Sequence, residues 1–144
     1  MSSQSRAPRS AQAMTFDEMV ERVRYEGAYP TGERAEAALS AVLAALGRQL
    51  TGDERVALAA RLPVEAALTL TTQIPGAEPL TGYGFVSDLA SRTGATPATA
   101  RWDTGTVFAV VARLAGDELV TRILGRLPNG YALLFGRAQL TPAA

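Results

Sequence analysis

The sequence predicts an all-α fold, a helical bundle made of two tandem, pseudo-symmetric multi-helix repeats. Two observations predict it. Apolar residues recur at three- and four-residue spacing through most of the chain, and one stretch occurs twice. Ala35–Pro63, AEAALSAVLAALGRQLTGDERVALAARLP, is echoed by Thr99–Pro128, TARWDTGTVFAVVARLAGDELVTRILGRLP. Each copy reads as a long apolar helix, a Gly-Asp-Glu turn, an amphipathic helix and a stop at Arg-Leu-Pro. The landmarks stay in step: Thr15 and Thr81 are 66 residues apart, Gly52 and Gly116 are 64, and Arg61 and Arg126 are 65. That period exceeds the usual solenoid repeats, so two copies in one globule are expected. Halves of this size bury too little surface to be stable alone.

The elements follow in order. Residues 1–13 are polar, without periodicity and without an apolar h-region, which predicts a disordered tail and no secretory signal; Met14 can serve as an alternative start. The first repeat is placed at 14–73. Thr15 and Glu18 form a capping box opening a helix with Phe16, Met19, Val20 and Val23 on one face, closed by a left-handed Gly27. A second helix from Glu33 to Leu50 buries Ala35, Ala38, Leu39, Val42, Leu43, Leu46 and Leu50. Thr51 and Glu54 form a second capping box, for a helix burying Val56, Leu58, Ala59 and Leu62. Pro63 starts a further helix with Leu68 inward.

Residues 74–80, with two prolines and a glycine, read as a linker. The second repeat, 81–136, follows the same plan with weaker starts. Gly82 and Gly84 occupy its first turn, at about 1 kcal/mol each against Ala, and Ala115 stands where Thr51 offers a capping hydroxyl. Thr96-Pro97 opens the helix carrying Trp102, Val107, Val110, Val111 and Leu114. Leu119, Val120, Ile123 and Leu124 pack the next. Residues 137–144 read as a C-terminal tail.

Composition narrows the function. The 144 residues contain 14 basic and 14 acidic side chains and no His or Cys, and every basic residue is Arg. The balance leaves no electrostatic footprint for nucleic acid, and no run reaches the roughly 20 apolar residues of a membrane span. Without His, Cys or Lys, imidazole bases, thiolates, Schiff bases, P-loop lysines and the common zinc or haem ligand sets are excluded. No enzyme, cofactor or metal site is expected, and the chain reads as cytoplasmic.

Phe85-Val86-Ser87-Asp88-Leu89-Ala90-Ser91-Arg92-Thr93-Gly94, the Gly-Asp-Glu turn, and Leu127-Pro128-Asn129-Gly130-Tyr131-Ala132-Leu133-Leu134-Phe135 resemble the bacterial family catalogued as domain of unknown function 2267. Met19 to Val23 through Leu62-Pro63 resembles its N-terminal repeat. The resemblance spans Thr15–Phe135 and departs at Gly82, Gly84 and Ala115. It implies an all-α fold and no established activity or site residues.

Each candidate feature has a structural reading beside the functional one. Arg61 and Arg126 suit helix C-terminal carbonyls better than an anion site, and Asp53-Glu54 and Asp117-Glu118 suit first turns better than a metal. Thr81-Gly82-Tyr83-Gly84-Phe85 lacks the strand and spacing of a phosphate loop. Tyr83, Phe85, Trp102 and Tyr131 form the candidate interaction surface, since aromatic anchors mark interfaces, although a lone Trp on a core helix is more often core. The reading is a non-enzymatic interaction or adaptor module with a protein partner, a homo-oligomer included. The alternative is a small-molecule or lipid-binding bundle with an apolar cavity between the repeats. An exposed apolar patch marks the first and an enclosed pocket the second.

Overall fold

The computed structural model describes residues 14–76 and 78–137. The expected tails, 1–13 and 138–144, and Ala77 of the linker lie outside the described residues. Among the described residues there are eight helices and no strand: α1 Phe16–Gly27, α2 Gly32–Gly47, α3 Gly52–Ala59, α4 Val64–Thr71, α5 Gly82–Thr93, α6 Pro97–Ala115, α7 Asp117–Leu124 and α8 Tyr131–Leu134.

The two long apolar helices lie at the centre. α2 packs on α1, α4, α5 and α6, while α6 packs on α1, α2, α5, α7 and α8, so the sequence halves share one core. All seven residues of the expected α2 stripe are buried, with Leu50 just past the helix end. Val107, Phe108, Val110 and Val111 answer them from α6. An aromatic cluster closes the far end: Phe108 stacks on Phe135 at 4.2 Å, and Phe85 meets Phe108 at 5.5 Å and Tyr131 at 5.6 Å.

Caps divide into those that form and those displaced by tertiary contacts. The Thr15–Glu18 capping box is present, and Thr31, Thr81 and Thr96 each accept from a first-turn N–H. The left-handed residue after α1 is Ala28 (φ 55°), not Gly27. Gly27 is needed for space, because a Cβ there would run into the Tyr29 ring. Thr51 makes no side-chain cap bond. Glu54 is taken instead by Arg126, whose Nε donates to its Oε1 at 2.9 Å, and Arg122 stands 3.7 Å away. The expected capping deficit at Ala115 therefore disappears. Ala115 is buried, and its carbonyl accepts from Arg61 at 2.7 Å.

Two arginines thus link the halves in opposite senses. Arg61 reaches the end of α6 beside Gly116, and Arg126 reaches across to Glu54 and lies beside Gly52. Of the pair expected to cover helix C-termini, only Arg61 does so, and on a helix of the other half. The C-termini of α2 and α4 are served by Arg55. Its guanidinium donates to the carbonyls of Gly47, Leu50 (2.9 Å), Leu70 (3.3 Å), Thr71 (3.1 Å) and Gln73 (2.7 Å).

The start of α5 is also firmer than its glycines suggest. Gly82 N–H donates to Asn129 O at 2.7 Å, and a Cβ on Gly82 would lie 2.6 Å from the Gly130 carbonyl carbon. Tyr131 hydroxyl donates to Leu80 O at 2.9 Å on the same joint. Arg137, expected in the tail, belongs to the fold through Thr121 Oγ1 at 2.7 Å and Asp117 O at 2.8 Å.

Two inward assignments are corrected. Val56 is 68% exposed and Leu68 55%. Each lies two residues from a buried leucine, Leu58 and Leu70, hence about 200° around the helix and on the opposite face.

Candidate functional site

The four aromatic residues expected to form a surface separate. Phe85 and Tyr131 are buried in the aromatic cluster, and burial removes them from any surface. Their neighbours explain it: both pack at the joint where Gly82 and Gly130 bring two backbones together. Burial pushes the Tyr131 phenol well above its ordinary range. Tyr83 is exposed on α5, and Trp102 is 55% exposed on α6. Trp102 is therefore not a core residue.

Trp102 is nonetheless fixed. Its indole Nε1–H donates to Gly27 O at 3.0 Å, at the end of α1. The next residue, Asp103, is buried and locks the following turn: Tyr29 hydroxyl donates to Oδ1 at 2.6 Å, and Arg34 Nη2 lies 3.2 Å from Oδ2. The Arg34 guanidinium also sits over the Tyr29 ring, 4.9 Å from its centroid, a favourable cation–π placement. Burial first, and then the bond to Asp103, holds the Tyr29 phenol well above the usual range. The α1–α2 turn is thus tied to α6 at two successive residues, Trp102 and Asp103.

A cleft of about 520 Å³ opens beside this indole. Ala98, Trp102, Gly105 and Ala109 of α6 form its floor, with Arg101 and Thr106 alongside and Glu26 of α1 opposite. The floor residues are small apart from the indole, and the Arg101 guanidinium lies over Gly105. Tyr83 does not line it. A larger open cleft, about 690 Å³, lies between the start of α1 and the α3–α4 turn; Phe16, Leu62, Pro63, Val64 and Leu114 give it apolar walls, with Arg61 and Glu65 among its polar groups. Val64 is exposed, and Leu68 follows it one turn later on α4. Both clefts are surface features, and the seam between the halves is filled by side chains of α2 and α6.

Of the residues lining this cleft, sequence reasoning singles out Trp102 and not Arg101, Gly105 or Glu26. The signal is present as the 4-3-4 spacing of Ala98, Trp102, Gly105 and Ala109, which falls on the face of α6 turned away from Val107 and Val111. The ties from Trp102 to Gly27 and from Asp103 to Tyr29 have no sequence signal, since they join residues more than 70 positions apart.

Fold and cleft define an all-α bundle with a surface groove anchored by one aromatic residue. No helix among the described residues is long and apolar enough to cross a membrane. Residues 16–134 match the model of a family described as "Uncharacterized conserved protein (DUF2267)", and the chain belongs to that family. No curated protein matches the chain.

Proposed function

We propose that the chain is a non-enzymatic, cytoplasmic protein-interaction module whose partner docks in the α1–α6 cleft. The observation that carries this reading is the fixed, half-exposed indole of Trp102 on a floor of small residues. An immobilised aromatic side chain loses little entropy on binding, which is why Trp dominates interface energetics. The small-molecule or lipid alternative needs an enclosed apolar cavity between the halves. Leu39, Val42, Leu46, Val107 and Val111 fill that seam and are shut off from solvent, so the interaction reading is favoured.

The halves are read as tandem copies forming one domain. In support, Arg61 and Arg126, at matching positions, each cross to the other half and lie beside the other's Gly-Asp-Glu turn. α3 and α7, the helices that follow those turns, pack on one another.

The test is affinity purification of the tagged chain from its native host, followed by native mass spectrometry, with Trp102→Ala in parallel. A stoichiometric protein retained by the wild type and lost by the variant is the expected result. A bound small molecule retained by both would overturn the reading in favour of the alternative.

A further inference from the structure

The α1–α6 cleft also carries information about its partner. Its floor residues, Ala98, Trp102, Gly105 and Ala109, are spaced four, three and four apart. That alternation is the seam by which one helix receives another, with small residues allowing close backbone approach and one large side chain acting as a knob. Here the seam faces solvent.

Two ionic side chains, Glu26 and Arg101, line the cleft, and they differ in how they are paired. Glu26 is shared by two guanidiniums: it pairs with Arg113 and stands 3.9 Å from Arg22. Arg101 folds across Gly105, close enough that a Cβ on Gly105 would lie 2.8 Å from its Nη1. Among the described residues no carboxylate comes within ion-pair distance of Arg101. Asp103, next in sequence, is buried and committed to Tyr29 and Arg34. Glu26 is thus neutralised by arginines beside it, while Arg101 has no carboxylate among the described residues to pair with.

We propose that this cleft receives an acidic amphipathic helix of a partner protein, laid along α6. Its apolar face covers Trp102 and Gly105, and a carboxylate pairs with Arg101. The inference rests on the interaction reading above and adds the partner's chemistry. An anionic membrane or a nucleic acid would use the same arginines. Neither has a use for a concave floor at helix-packing spacing, and the chain carries no net positive charge to draw either.

The experiment is selection of a displayed library of randomised helical peptides against the full-length chain. The expected winners carry an apolar i, i+4, i+7 stripe flanked by Asp or Glu, and bind more weakly as salt rises. Trp102→Ala should weaken them by about tenfold or more. Arg101→Glu should redirect the selection to Lys or Arg at the same peptide position. Gly105→Leu fills the floor at a position where a helix prefers Leu to Gly, so it should abolish binding with no loss of melting temperature. Winners with no acidic preference, or binding unchanged in all three variants, would overturn the proposal. So would Trp102-dependent binding to phosphatidylglycerol vesicles or duplex DNA, or a homodimer lost in Trp102→Ala. If Gly105→Leu removes the native partner while selection favours non-acidic peptides, the docking site stands and the acidic helix falls. If it affects neither, both fall.

Discussion

Tyr29 hydroxyl donates to Asp103 Oδ1 at 2.6 Å, joining residues 74 positions apart and fastening the α1–α2 turn to α6. The carboxylate is buried and its other oxygen meets Arg34 at 3.2 Å. Replacing Asp103 by Ala leaves a buried phenol and a guanidinium without their acceptor. Asp103→Ala loses the bond from the phenol, about 1.5–3 kcal/mol, and also the Arg34 pair, about 0–1 kcal/mol because that arginine side chain is 38% exposed. Tyr29→Phe loses only the first. Urea denaturation of the two variants should rank them in that order.

The same phenol sets an alkaline limit. The folded pKa values of Tyr29 and Tyr131 are both raised, by burial first and for Tyr29 also by Asp103. The folded state therefore keeps protons that the unfolded chain releases from about pH 10 upward. Their contribution is full below that pH and is lost as pH rises past it. Melting temperature should fall above about pH 10, and less steeply in the Tyr29→Phe, Tyr131→Phe double variant. Parallel curves would show that the two phenols do not set the limit.

Two glycines two residues apart, Gly82 and Gly84, should respond with opposite sign. A Cβ at Gly82 would lie 2.6 Å from the Gly130 backbone, which the adjoining Asn129 bond holds in place. Gly82→Ala should cost about 1–3 kcal/mol or more. At Gly84 the nearest atom is 3.4 Å away, an ordinary contact. Gly84→Ala should stabilise by about 0.5–1 kcal/mol through helix propensity. Thermal melts of the pair test this directly.

Arg55 gathers five carbonyl oxygens at the ends of α2 and α4 and in the segment after α4. Lys cannot reproduce that fork. Arg55→Lys should speed hydrogen exchange in the last turns of both helices, with the centre of α6 unaffected. Equal protection in wild type and variant would show that packing alone holds those ends.

The helices and most of the core were legible because burial in a helix follows a 3.6-residue period that local sequence carries. Every residue of the α2 stripe is a case in point. Val56 and Leu68 were misplaced because apolar residues occupy both faces of short helices, and sequence does not say which face meets the core. Thr51 and Glu54 have the letters of a capping box, yet Glu54 is drawn off by Arg126 from 72 positions away. Gly82 looked like a weak helix start because its partner, Gly130, is distant in sequence. Of the candidate surface, Tyr83 and Trp102 are exposed and Phe85 and Tyr131 buried, a division that residue type does not carry. What separates them is packing within the second half, where Phe85 meets Phe108 and Tyr131.

Trp102 is the single tryptophan of the chain, so its emission reports on the proposed docking site alone. The decisive measurement is a fluorescence titration of the full-length chain with its purified partner, or with the selected acidic peptide, using ligands free of Trp. Docking in the α1–α6 cleft predicts a blue shift and protection from acrylamide quenching that saturate with binding, both absent in Gly105→Leu. Saturating binding that leaves the emission and quenching of Trp102 unchanged would contradict the account.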